Sequence, residues 1–396
     1  MKRFFCDCGQ EIFFDNQYCE YCGRSLGFDV TSLNLLVIDT DAQSWFRARD
    51  GRRYKTCGNA VNFDACNWLI GEDNESDQLC YACQFNRTIP NQSEINSNRQ
   101  RSFYRWLKLE DAKKRLIYSL LTHGLPIENG WSNQDSGLLF DFLEDNNTNE
   151  DKNHISVTTG YSNGVITINA EEADDVARVR ARSALNERQR TVLGHFRHES
   201  GHYFWDKIFS KLPLADYFDE VFGRTNLTYK ESLDAYYNQG PRRNWSDGYI
   251  SAYASSHPSE DWAETWNHYL LIFECLETAH EIGLTDENPF SMEISEILDM
   301  WRRISTKLNQ LNRSIGLPDA YPFVITSRIE QKILYVPFIH VVEFFEKSAT
   351  SDFPDQSVGQ KFNVPFVVKT TLSHGYRQAL LLSFLFICSI CFIVTK

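Results

Sequence analysis

His198 and His202 stand four residues apart in the stretch GHFRHESGHYFWD, with Glu199 beside the first of them. On a helix, residues four apart share one face, so both imidazoles can reach a single ion. Glu199 lies about 100° round the same helix and is poorly aimed to join them as a ligand. It is better placed to hold a water on that ion and take its proton. Zinc lowers the pKa of such a water towards neutrality, where a carboxylate is an adequate general base. The competing explanation is an ordinary amphipathic helix rich in His. Two glycines weigh against it. Inside a helix, Gly194 and Gly201 each cost about 1 kcal/mol relative to alanine. Gly201, next to His202, suggests the close approach of another backbone or of a ligand.

A catalytic zinc usually has three protein ligands and one open position. The third ligand is expected about sixty residues on, in HPSEDWAETW. Glu260 and Glu264 share a helix face there. Glu260 can bind the ion, and Glu264 can accept a hydrogen bond from the outer nitrogen of a liganding His and fix its tautomer. His257 and Asp261 are rival ligands. Carbonyl hydrolysis also needs a donor for the developing oxyanion. Tyr253 is the first candidate, with Tyr249, His195 and His257 as alternatives.

Eight of the eleven cysteines fall into two sets: Cys6, Cys8, Cys19 and Cys22, then Cys57, Cys66, Cys80 and Cys83. Paired knuckles of this spacing read as two structural zinc sites rather than a disulfide framework, though redox-reactive thiols are an alternative for the second set. Thiolate ligands need a reducing compartment, so a cytoplasmic location is expected. The net charge of −13 argues against a nucleic-acid partner, which would call for a basic face. MKRFFCDCGQ lacks the apolar core of a secretory signal. Residues 379–395, ALLLSFLFICSICFIVT, form an apolar run near the lower length limit for spanning a bilayer. They read either as a tail anchor giving membrane association or as a buried C-terminal helix.

The elements that must position these residues follow from patterning. SLNLLVIDT reads as a strand. A helix is expected from about Ser102, and a hairpin over residues 154–170 around Ser162-Asn163-Gly164. A charged helical connector follows. The HExxH helix should start near Asn186, where Asn186 and Gln189 suggest a capping box, and stop at Pro213. Mixed loop and short helix are expected over residues 214–250. A second helix should begin at Pro258, a favoured first-turn residue. The expected fold is α+β: a zinc-ribbon region with two four-cysteine sites (1–95), a mainly helical zincin-like domain with a β-hairpin at a sheet edge (100–348), a linker (349–378) and the apolar segment.

The stretches FCDCG, YCEYCGRSLGF, YKTCGNAVNFDACNWL, CYACQFNRTIP, RTVLGHFRHESGHYFWD and SAYASSHPSEDWAETWNHYL resemble a family of bacterial zinc-binding metallopeptidases with an N-terminal zinc ribbon. The resemblance covers most of residues 1–345. It implies that His198, His202 and Glu260 hold a catalytic zinc, that Glu199 is the base, and that Glu264 supports a ligand, as in gluzincins. In lethal-factor-like gluzincins a Tyr lies about two turns before the ligand Glu, as Tyr253 does. The chain departs from the family pattern at Tyr161, where a His is usual, and at Ser200, where an apolar residue is. The implied activity is hydrolysis of a peptide or protein substrate. The rival is a non-catalytic zinc scaffold with a vestigial protease fold, and a third reading is a zinc hydrolase of other substrates.

Overall fold

The computed structural model describes residues 1–40, 45–74, 76–93, 98–125, 127–145, 157–209 and 215–337. Strands β1 (Phe4–Phe5) and β2 (Glu11–Ile12) make an antiparallel pair. Each knuckle of the first cysteine set ends in a glycine with left-handed backbone, Gly9 at φ 87° and Gly23 at φ 73°, a conformation that side chains resist. Between the two cysteine sets the sequence indicated a single strand, SLNLLVIDT. Instead a five-stranded antiparallel sheet connects them: β3 (Leu26–Asp29), β4 (Asn34–Thr40), β5 (Phe46–Ala48), β6 (Arg53–Thr56) and, after helix α1 (Gly58–Phe63), β7 (Leu69–Gly71). Only β4 had a clear strand signal, the apolar run LLVI at residues 35–38. β5, β6 and β7 are four residues or shorter, too brief for periodicity to register.

The zinc-ribbon region is not a separate appendage. Phe14 lies 4.9 Å from Phe28, and Phe28 lies 4.6 Å from Trp68, ring centre to ring centre. The same group meets Tyr118 at 5.5 Å from Phe14. Tyr118 belongs to α2 (Arg99–Thr122), the long helix the sequence predicted. One continuous buried core therefore runs from the first knuckle into the helical part.

A second sheet has the order β10-β11-β9-β8, with β8 (Asn86–Thr88), β9 (Leu139–Leu143) and β11 (Val165–Asn169) mutually parallel and β10 (Gly160–Ser162) antiparallel at the edge. The hairpin turn is Asn163-Gly164, at φ 47° and 79°, as a type I′ turn requires. The hairpin is shorter than expected. Val157 precedes the strand, its N–H donating to Asp145 Oδ1 at 2.6 Å, and residues 154–156 lie outside the described residues.

The charged connector is helical as α3 (Asp175–Ala184). Asn186 does not open the HExxH helix. It closes α3 in the left-handed region (φ 52°), a conformation Asn tolerates better than most residues. The HExxH helix is α4, Val192–Phe209. Thr191 caps it, its Oγ1 accepting from Gly194 N–H at 2.9 Å. Gly194 is thus a first-turn residue, and a Cβ there would sit 2.8 Å from that hydroxyl.

Helices α5 (Ala215–Phe222) and α6 (Tyr229–Gln239) lead to α7 (Pro258–Glu281). Pro258 opens α7 as predicted, with His257 Nδ1 accepting from Ser259 N–H at 3.1 Å. Helices α8 (Ile294–Ser314) and α9 (Ser327–Tyr335) follow, separated by the GLPDAYPF break. The expected linker and the apolar run at 379–395 lie outside the described residues. Among the described residues, no helix is long and apolar enough to cross a membrane.

The site depends on the packing of α4 against α7. A Cβ on Gly201 would lie 3.0 Å from Ala263 Cα and 3.0 Å from Trp266 Cδ1. The close approach inferred for Gly201 is therefore to the backbone of α7. Trp262 Nε1 donates to Gly201 O at 2.8 Å, and Trp266 Nε1 to Ser200 Oγ at 2.9 Å. Ser200 is fully buried, and its hydroxyl gives an interior indole N–H a partner. Arg197 and Glu274 add a charged bond between the helices at 2.6 Å.

Candidate metal centre

Within this helix pair, His198, His202 and Glu260 converge, and their ligand atoms all lie within 4.8 Å of one another. His198 Nε2 is 3.0 Å from Glu260 Oε2, His202 Nε2 is 3.3 Å from Glu260 Oε1, and the two Nε2 atoms are 3.3 Å apart. A tetrahedral ion with bonds of about 2.0–2.1 Å holds its donors about 3.3 Å apart. The donor set and spacing therefore fit zinc. Glu260 is wholly buried, an expensive position for a carboxylate unless positive charge compensates it. Burial alone would raise its pKa, but hydrogen bonds and charge from His198 and His202 hold it well below the usual carboxylate range.

Glu264, one turn along α7, takes the other side of His198, with Oε1 at 2.7 Å from Nδ1. That bond fixes the ring so that Nε2 faces the centre. Glu199 is buried, at 6% exposure, and makes no side-chain hydrogen bond to either His. Burial raises its carboxyl above the ordinary range, against the pull of His198 and His202. The Tyr253 ring lies 6.0 Å from that of His198.

The rivals have other partners. Asp261 pairs with Lys332 of α9 at 2.6 Å, and burial pushes its carboxyl up to about 7 although the lysine opposes this. His257 is the cap of α7. Tyr249 accepts from Arg242 at 2.7 Å. His195 faces Glu172 at 3.3 Å, and Asp206 accepts from the Tyr161 hydroxyl at 2.9 Å. That last bond ties edge strand β10 to α4.

One residue escaped the sequence reading. Tyr229 Oη donates to Glu260 Oε1 at 2.8 Å. Its signal was present but indirect: Thr228 and Glu231 form a capping box, with both reciprocal bonds made, and this fixes Tyr229 as the first residue of α6.

The two cysteine sets each gather. In the first, Cys6–Cys22 and Cys8–Cys19 sulfurs lie 3.6 and 3.7 Å apart. In the second, Cys66 lies 3.6 Å from Cys80 and 3.7 Å from Cys83, with Cys57 in the same cluster. A disulfide needs about 2.0 Å, whereas four thiolates round a zinc at about 2.3 Å are about 3.8 Å apart. Cys80 N–H and Trp68 N–H approach the Cys57 and Cys66 sulfurs at 3.4 Å, which suits sulfur carrying negative charge. Cys8 and Cys22 are exposed, while all four cysteines of the second set are buried.

Fold and sites together define a zinc-binding protein with a ribbon region ahead of a helical domain. A family model described as "putative zinc-binding metallo-peptidase" matches residues 102–340, and a zinc-ribbon domain model matches residues 3–94. The chain belongs to this metallopeptidase family. It is 39% identical over 351 residues to uncharacterized proteins of Mycobacterium tuberculosis and Mycobacterium bovis, covering 86% of this chain and 95% of each relative. No solved structure matches it significantly.

Proposed function

We propose that the chain is a gluzincin-like zinc peptidase. The observation that carries this is the His198–His202–Glu260 cluster at zinc-donor spacing, with Glu264 holding His198 from behind. Zinc there would supply an acidified water and a positive charge for the substrate carbonyl. Glu199 accepts the proton of the attacking water and returns it to the amine nitrogen as the C–N bond breaks. Tyr253 donates to the carbonyl oxygen as negative charge grows there. Strand β10, at the edge of its sheet, is suited to pair with an extended peptide through main-chain bonds. The two cysteine sets would hold structural zinc, which favours a reducing, cytoplasmic setting.

The rival reading, a non-catalytic scaffold, draws on the same cysteine clusters. Zinc analysis of the full chain separates the two. The peptidase reading expects three zincs per chain, one of them exchangeable and lost in His202→Ala. Two tightly held zincs in both wild type and variant would favour the scaffold.

A further inference from the structure

Glu260 offers two oxygens at ligand spacing, Oε2 towards His198 at 3.0 Å and Oε1 towards His202 at 3.3 Å. A carboxylate bound through both would crowd the position that a catalytic zinc keeps open and, with water still there, raise the coordination number to five. Among the described residues, one protein side chain beyond the two histidines bonds to this carboxylate: the Tyr229 hydroxyl, donating to Oε1 at 2.8 Å. Resting on the zinc-peptidase reading, we infer that Tyr229 is a positioning residue that keeps Glu260 bound to the metal through Oε2 alone.

The placement of Tyr229 is over-determined. The Thr228–Glu231 capping box sets the start of α6. The Tyr229 ring packs edge-on against His257, the cap of α7, at 5.3 Å. Two turns further along α6, on the same face, Tyr236 packs edge-on against Tyr253 at 5.8 Å. Helix α6 is thus seated over the centre at two points, and its first residue reaches the ligand on α7. A phenol is protonated at neutral pH, so the hydroxyl is a donor to this carboxylate. A donor that occupies a lone pair of Oε1 makes that oxygen a poorer metal ligand and leaves Oε2 as the stronger one.

Tyr229→Phe removes the hydroxyl and keeps the ring against His257. The test uses full-length protein with cobalt(II) exchanged into the His centre and zinc left in both cysteine sites. Visible absorption then reports coordination number, and His198→Ala supplies the blank. The expected result is a four-coordinate band in wild type and a weaker, five-coordinate band in Tyr229→Phe. Peptide turnover should fall about 10–100-fold, chiefly in kcat. An unchanged band in Tyr229→Phe would overturn the inference while leaving the metal site intact. Failure of wild type to take up cobalt beyond the His198→Ala blank would remove the zinc-peptidase reading and the inference together.

Discussion

His198 is gripped from both sides by α7: Nδ1 lies 2.7 Å from Glu264 Oε1, and Nε2 lies 3.0 Å from Glu260 Oε2. The first contact orients the ring, and the second marks where the ion would sit. Replacing Glu264 with Gln should therefore weaken zinc binding at this centre about 10–100-fold. Competition with a chelator measures it. Affinity equal to wild type would show that the ring needs no such support.

Gly201→Ala tests the helix pair itself. Alanine improves helix propensity by about 1 kcal/mol. However, the new Cβ would press at 3.0 Å on Ala263 Cα, part of the α7 backbone, and on the fully buried Trp266. Overpacking of this kind costs about 1–3 kcal/mol. The net expectation is a modest destabilisation in urea unfolding, accompanied by weaker zinc binding, because the two ligand-bearing helices are pushed apart.

The cysteine sets should differ in consequence. Cys83 is wholly buried among core residues, whereas Cys22 is exposed. Cys83→Ser should destabilise the protein by about 2 kcal/mol more than Cys22→Ser. Thermal unfolding of the two variants, each with its zinc content determined, gives the comparison.

His268 links stability to pH. It is buried beside Tyr321, with Nδ1 3.0 Å from the hydroxyl, and burial lowers its pKa from 6.5 to about 4. The unfolded chain therefore binds this proton first, and stability drains away as pH falls from about 6.5 towards 4. The loss amounts to on the order of 3 kcal/mol. His268→Gln should flatten that part of the profile relative to wild type in urea unfolding. Parallel profiles would assign the acid sensitivity elsewhere.

The sequence disclosed which side chains meet more fully than it disclosed the architecture. The convergence of His198, His202 and Glu260 was legible because metal-ligand chemistry restricts residue type as well as spacing. Gly201 was legible because its cost in a helix required a close neighbour. Asn186 misled because Asn suits both a helix start and a left-handed helix end, and only tertiary context separates the two. Tyr229 was missed because its partner lies thirty-one residues away on another helix, a relation that no local pattern carries. The five-stranded sheet was missed because most of its strands are too short to show alternation.

The most direct test of the central claim is peptide-library cleavage by zinc-loaded wild type and by Glu199→Gln at matched zinc content. The account predicts cleavage by wild type. It predicts a rate lower by about 10²–10⁴-fold in Glu199→Gln, with zinc retained. Equal rates in the two proteins, or no cleavage by a wild type carrying zinc at the His centre, would contradict it.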